Sequence, residues 1–452
     1  MQSPKLPPRA TIILAAVSLL FLLFISTDLQ CQETILYSFG ATNGDGQNPN
    51  GDLVQDANGN LYGTTNLGGV YDAGTVFEVS PNGTENVLYS FGENVNDGLY
   101  PSAGLIFDQL GNLWGTTGGG GPFDNGTVFE LSPNQNGGWT ETFVYLFCGE
   151  NCGNGAIDGA NPDCKLVEDQ QGNFYGTTEN GGAGCGGYGC GTVFELSPNG
   201  TGGYSESLIH VFAGSDGFSP ISGLAMDAGG NLYGTVESGG ITGCGNPSGC
   251  GLVYKMSPSP DGWTFSVIQL FTGFDGAGPI SEVILDAHGN LYGTALYGGF
   301  LGPCSLQITV AFSGYGGPGC GTVFELSPNG NSYLESVLYR FAGGNDGANP
   351  IAHLTLISGN LYGTTVGGGG GCGPPFGCGT VFELTPNAGG GWTESILSSF
   401  NFSDGAAPGS ALQVQQADPL HPGPPAKRGC TAGCGSCMFG GTYDDGVIYK
   451  FQ

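Results

Sequence analysis

The chain is poor in positive charge. It has 8 Lys and Arg against 38 Asp and Glu in 452 residues, a net charge of -30, and two of those eight, Lys5 and Arg9, stand at its extreme N-terminal end. Nucleic acid and anionic lipid are both held by cationic side chains, so neither is an expected partner. Histidine is scarcer still, with only His210, His288, His353 and His421. None falls in a Ser/His/Asp arrangement or at zinc-site spacing, so no nucleophilic triad or zinc centre is legible. Long apolar runs are also missing, apart from Ala10–Ser26, and nothing further along has the periodicity of a long amphipathic helix. A predominantly helical architecture is thereby excluded.

Glycine is the opposite case, with 90 residues and no collagen-like period. Between the glycines lie short apolar segments at regular spacing, which reads as many short strands joined by tight turns. One segment recurs. G-N-L-Y-G-T-T at Gly59 returns in close variants at Gly111, Gly172, Gly230, Gly289 and Gly359, and M-F-G-G-T at Met438 reads as a worn seventh copy. Around it each unit, of about 52–71 residues, has four segments of strand length. In the second unit they are typified by Ala103–Asp108, Gly111–Thr117, Gly126–Leu131 and Thr140–Phe147. D-x-x-G-N turns join first to second segments, S-P-N-G turns join third to fourth, and glycine-rich loops of variable length join second to third.

Seven units of four antiparallel strands predict an all-β, seven-bladed β-propeller. Residues 32–452 form this single domain. The region opens with a fourth-type strand, Glu33–Phe39, and closes with a third-type strand, Gly446–Phe451. The two ends are expected to pair and close the ring, which removes exposed sheet edges. Residues 1–31 read as a secretory signal cleaved before Glu33, with an uncleaved anchor or lipid attachment at Cys31 as alternatives.

The composite unit resembles the GloVer (Gloeo-Verruco) tandem repeat of bacterial secreted proteins. The matching stretches are G-T-V-F-E-L-S-P-N-G at Gly191, L-Y-R-F-A-G-G-N-D-G-A-N-P at Leu338 and G-N-L-Y-G-T-T at Gly359, and the likeness runs from Glu33 to Gln452. It implies a secreted or cell-surface bacterial protein and brings no reaction and no catalytic residues.

Fifteen cysteines behind a secretory leader predict disulfides. Cys185/Cys190, Cys244/Cys250, Cys304/Cys320 and Cys372/Cys378 occupy the same loop of successive units and are expected to be bonded. Cys148, Cys152 and Cys164 are expected to give one bridge and one free thiol. Cys31, if it is retained, could bridge to Cys430, Cys434 or Cys437 and staple the closure.

The fourth-to-first and second-to-third loops share one face of a propeller. That face varies most and is the expected binding face. It carries a D-G-x-x-P motif in every unit, at Asp45, Asp97, Asp158, Asp216, Asp275, Asp346 and Asp404. These carboxylates have two readings. They are turn residues that accept backbone N–H groups, or they form a ring at the channel mouth that binds a polar ligand or Ca2+. They are the candidate ligand-binding residues, and no cofactor is required. The third-strand glutamates, such as Glu78 and Glu195, and the recurring Trp139, Trp263 and Trp392 read as packing and neighbour contacts. The expected function is recognition of an extracellular glycan, protein or matrix by a monomer. An extracellular polysaccharide- or ester-degrading enzyme and a structural matrix protein are the alternatives.

Overall fold

A computed structural model describes residues 33–149, 152, 157–242, 244, 248–299, 304, 319–373, 377–414 and 433–451. The leader, Cys31, Cys430 and most of the insertion in the seventh unit lie outside the described residues. Seven sheets follow one another along the chain, mostly of four antiparallel strands. Blade one is built from Val54–Gln55, Leu61–Gly68, Thr75–Val79 and Glu85–Ser90, from the innermost strand outwards. Its first turn is held by Asp56, whose Oδ1 accepts the N–H of Asn58 and Asn60 at 2.9 and 2.8 Å. Among the described residues no helix is long and apolar enough to cross a membrane.

The ring closes as expected. Glu33–Ser38 pairs antiparallel with Val447–Phe451, Glu33 opposite Phe451 and Ser38 opposite Val447, and forms the outer strand of blade seven. One reading is corrected. The seventh copy of the G-T-T segment is not M-F-G-G-T. Cys437 pairs with Val447 as Thr65 pairs with Thr75, so Gly435-Ser436-Cys437 occupies the Gly-Thr-Thr positions.

The repeated residues hold blades together. A Cβ on Gly63 would lie 2.7 Å from Phe77 Cζ, so this glycine exists to let the third-strand aromatic ring cross its strand. The following threonine reaches the next blade: Thr64, Thr116 and Thr177 donate to the carbonyls of Ala103, Cys164 and Ser222 at 2.8, 2.9 and 2.8 Å. The proline of each D-G-x-x-P motif packs on the glycine that opens the previous blade's third strand. A Cβ on Gly74 would stand 2.5 Å from Pro101 Cδ. Core clusters span adjacent blades, as where Trp114 stacks on Phe174 at 3.9 Å. Trp139 and Trp263 pack edge-on against Tyr62 and Tyr175 of the preceding blade, which is the packing role expected of them.

Candidate functional site

All four expected loop disulfides are present: Cys185–Cys190, Cys244–Cys250, Cys304–Cys320 and Cys372–Cys378. Cys148–Cys152 is a fifth, and Cys164 is buried and free. The bridges lie in the expected second-to-third loops, and their sulfurs reach down into the core. The second cysteine of each pair, Cys190, Cys250, Cys320 and Cys378, is buried, and so is Cys244. Each of these sulfurs packs in a core cluster: Cys190 beside Val193 and Phe212, Cys244 and Cys250 beside Val253 and Phe271, Cys320 beside Val323 and Phe341, and Cys378 beside Val381 and Phe400. The physical reason is that the second cysteine directly precedes the buried third strand, so its side chain turns inwards with that strand. The bridges tie each loop to the core beneath it.

Cys434 and Cys437 are not bonded to each other, and Cys31 and Cys430 fall outside the described residues. The loops of blades one, two and seven have no such bridge. There an aspartate in the left-handed region takes over: Asp72, Asp124 and Asp444, at φ 58°, 57° and 64°, accept the N–H of Gly68, Gly120 and Gly440. Each loop is thus braced either covalently or by a short-range Asp turn. Large apolar side chains stand exposed on this side of the ring, among them Tyr71, Phe123, Tyr188, Phe274 and Phe402.

The D-G-x-x-P aspartates sit at the outer strand ends and not around the channel mouth. Asp45 accepts Tyr37 Oη at 2.9 Å and the N–H of Ala41 and Gly46 at 3.0 and 2.7 Å. Asp97 accepts Tyr89 and the N–H of Gly92 and Glu93. Asp158 accepts Tyr145 and the N–H of Cys148 and Gly159. Asp216 meets His210 Nε2 at 3.1 Å, Asp275 the Thr272 N–H, Asp346 the Tyr339 hydroxyl, and Asp404 the Asn401 N–H. They fasten the fourth strand to the loop that follows it. Among the described residues, the one group whose ligand atoms converge as for a metal is Cys148, Cys152 and Asp158, and its two sulfurs form a disulfide.

A second constellation lies on the axis. Three residues beyond each D-G-x-x-P proline, one register holds Asp52, Gly104, Lys165, Gly223, Glu282, His353 and Ala411 in blades one to seven. The next position is Leu53, Leu105, Leu166, Leu224, Val283, Leu354 and Leu412, apolar in every blade. Inner strands line the channel of a propeller, so residues hundreds of positions apart converge there.

The charged members pair across small ones. His353 Nδ1 lies 3.0 Å from Asp52 Oδ2, and Ala411, from the blade between them, donates its N–H to Asp52 Oδ1 at 2.8 Å. Lys165 Nζ lies 3.9 Å from Glu282 Oε2. Gly223 stands between that pair, and a Cβ there would come within 2.8 Å of Glu282 Oε2. These side chains remain in contact with water: Lys165 is 30% exposed, Glu282 17%, His353 16% and Asp52 20%.

Electrostatics reinforces the pairs. Burial pushes the Asp52 carboxyl up, but His353, Lys165 and the Ala411 N–H together outweigh it and hold the carboxyl well below the usual range. Burial lowers His353, yet Asp52 raises it more, so the imidazole stays protonated to higher pH than usual. Glu282 raises Lys165 against burial. Nearby, Asp163 is raised by burial although it accepts the Ser102 hydroxyl.

A cavity of about 650 Å³ opens beneath this ring on the D-x-x-G-N side, with Asp52, Lys165 and His353 inside it and Asp56 and Ala57 at its rim. Towards the disulfide side the space narrows to about 110 Å³, between Asn50, Ser102 and Asp163 on one arc and Ile221, Ile280 and Ile351 on the other. The larger opening thus faces away from the variable loops. No pattern along the chain announces this ring. Its signal is a single register that varies while its neighbour does not, visible only when the seven units are laid over one another.

Among solved structures the fold is shared with a polysaccharide lyase, an ulvan lyase. The superposition has a TM-score of 0.51 at 11% identity and covers 93% of this chain and 95% of that one. The same lyase bound to -[GlcA(1-4)Rha3S]- gives 0.50 at 12% identity with the same coverage. At such identities the likeness speaks for the β-propeller alone. No curated protein matches the sequence. The Gloeobacter/Verrucomicrobia repeat matches residues 22–246 and 188–429, which together take in most of the chain. Blade count, ring closure and repeat match agree, and the chain belongs to the Gloeobacter/Verrucomicrobia repeat family.

Proposed function

We propose that this propeller is an extracellular recognition protein that holds a glycan, protein or matrix partner on its disulfide-braced face. The observation that carries the reading is the set of exposed Tyr71, Phe123 and Tyr188 on loops made rigid by a disulfide or an Asp turn, with Phe274 and Phe402 exposed on fourth-to-first loops of the same face. Aromatic rings offer large contact area, and rigid loops lose little entropy on binding. The net charge of -30 favours a neutral or cationic partner over an anionic polymer. Disulfides in five loops fit the oxidising compartment outside the cell, reached through the leader. Calcium at the D-G-x-x-P carboxylates is a separate proposal, tested by calorimetry before and after chelation.

The test is a glycan and matrix array probed with the secreted chain and with a Tyr71→Ser, Phe123→Ser, Tyr188→Ser, Phe274→Ser variant. The reading expects a hit that the variant loses without any change in unfolding midpoint. An unchanged hit, or none, contradicts it. An enzymatic reading has one observation in its favour, the Asp52-anchored His353 imidazole in an open cavity. Turnover of a polysaccharide or ester that His353→Gln abolishes would establish it.

A further inference from the structure

The axial cavity has unoccupied cationic donors, while its carboxylates are engaged or stand at its rim. Lys165 Nζ has one contact among the described residues, the Glu282 carboxylate at 3.9 Å, which is too long for a hydrogen bond. All three of its N–H groups are therefore available. His353 commits Nδ1 to Asp52, and its Nε2 has no partner among the described residues. The Asp52 carboxylate is engaged at both oxygens, by His353 and by the Ala411 N–H. Glu282 lines the narrow side of the ring and not the larger cavity. Asp56, at the rim, is closed around its own turn by Asn58 and Asn60.

The chain has 8 Lys and Arg, yet one of them and a histidine meet at the axis. The walls of the cavity add two chemistries: the apolar side chains of Ile284, Leu285 and Leu356, and the amides of Gln55 and Gln413. Amides serve hydroxyl groups as donors and acceptors. Charged and amide groups beside an apolar wall suit a small ligand with one charged end and a body that is part apolar and part hydroxylated.

We infer that the cavity binds a small organic carboxylate, its carboxylate bridging Lys165 Nζ and His353 Nε2 and its body against the Ile284–Leu356 wall. The site is independent of the loop face and opens on the opposite side of the ring. Lys165 supplies a point charge and His353 a directed N–H. Asp52 acts through His353 as a positioning residue, fixing the ring so that Nε2 faces the cavity. Binding weakens as pH rises through the His353 titration; the charged groups around that imidazole are Asp52, Lys165 and Glu282.

Calorimetry on the secreted full chain tests this with D-gluconate and cyclohexanecarboxylate as probes, each against its neutral amide. The expected result is saturable binding of at least one carboxylate, at least about tenfold tighter than its amide, since a hydrogen bond to a charged group is worth about that factor. Lys165→Met and His353→Gln should each weaken it about tenfold or more. Lys255→Met, on the third strand of blade four, should leave it unchanged, as should the four loop-face substitutions. Should Lys165→Met fail to fold, the pH profile and the carboxylate-to-amide ratio of the unaltered chain decide instead. No binding by either carboxylate, equal binding of the amides, or full binding by a folded Lys165→Met variant would each overturn the assignment.

Discussion

The outer seams of the ring and its axis follow opposite rules. At the seams the same residues recur. A fourth-strand glutamate of one blade faces the fourth-strand tyrosine and the D-G-x-x-P aspartate of the blade before it: Glu85 faces Tyr37 and Asp45, Glu141 faces Tyr89 and Asp97, Glu206 faces Tyr145 and Asp158, and Glu394 faces Tyr339 and Asp346. Glu335 faces Asp275, with Arg340 nearby, and Glu33 faces Asp404 and bonds Ser398. In all six, Oε1 is buried without a hydrogen-bond partner among the described residues. At the axis no two charged residues are alike. Repetition marks what every blade needs in order to pack, and deviation at one register marks what the ring as a whole presents.

The seam between blades three and four bears this out. Phe265 stands where the glutamate would be, and His210 where the tyrosine would be. The two rings stack at 4.0 Å with planes 2° apart. Carboxylate and phenol are replaced together by a stacked pair, so the seam is one packing unit with two solutions. The axis has no such alternative form.

The largest expected effect is therefore on pH dependence. Burial first, and the neighbouring aspartate second, push Glu85 and Glu394 up to about 7 and Glu141 up to about 8. Burial does the same to Glu206, Glu335 and Glu33, each to about 7. A carboxyl whose pKa is raised in the folded state stabilises fully below its unfolded value, and that stability is lost as pH rises through the folded value. After allowance for solvent screening each seam contributes roughly 0.5–1 kcal/mol, and six together about 3–6 kcal/mol. Asp56, Asp169, Asp227 and Asp286 are depressed, since burial raises each less than the hydrogen bonds of its own turn lower it, and their contribution is lost only in stronger acid. Urea unfolding should give greater stability at about pH 5 than at about pH 8.5. A flat profile would remove the seams from the account.

Next in size is the loop brace. Cys190→Ser should cost about 2 kcal/mol for so short a closed loop. Asp124→Ala, which removes the alternative brace in blade two, should cost about 1 kcal/mol. Both are read by hydrogen exchange of the loop amides. Equal and negligible effects would mean that the loops hold their shape without either brace. Smaller again is Glu141→Gln. An amide cannot ionise, so the variant should be more stable than the parent by roughly 0.5–1 kcal/mol at about pH 8.5 and little changed at about pH 5. Loss of stability at both pH values would show that the carboxyl does more than sit protonated.

Much of the scaffold was legible. Strand length, turn chemistry and the split fourth strand predicted seven blades, the closure and the loop disulfides, because these are local or repeat-wise features. Spacing paired Cys244 with Cys250, Cys304 with Cys320 and Cys372 with Cys378, but it did not show that the second sulfur of each pair is buried, because burial depends on the strand that follows. The worn seventh copy was misplaced because Cys434 and Ser436 keep the backbone pairing of Tyr62 and Thr64 without their side-chain signature. The aspartates were legible as turn residues but not in their position, because which side of a loop a carboxylate faces depends on the tyrosine, histidine or glutamine it meets. The axial ring leaves no signal along the chain. Asp52 and His353 are far apart in the chain and become neighbours only through ring closure.

If the inferred carboxylate site is right, the varying axial register binds the ligand and the recurring positions carry the fold. One variant tests it directly: Lys165→Gly with Glu282→Gly, which gives both positions the residue that Gly104 and Gly223 already supply. Its urea midpoint and its carboxylate binding are measured on the same sample. The account predicts an unfolding free energy within about 1 kcal/mol of the parent and loss of the bound carboxylate. A variant that unfolds, or one that binds as the parent does, would contradict it.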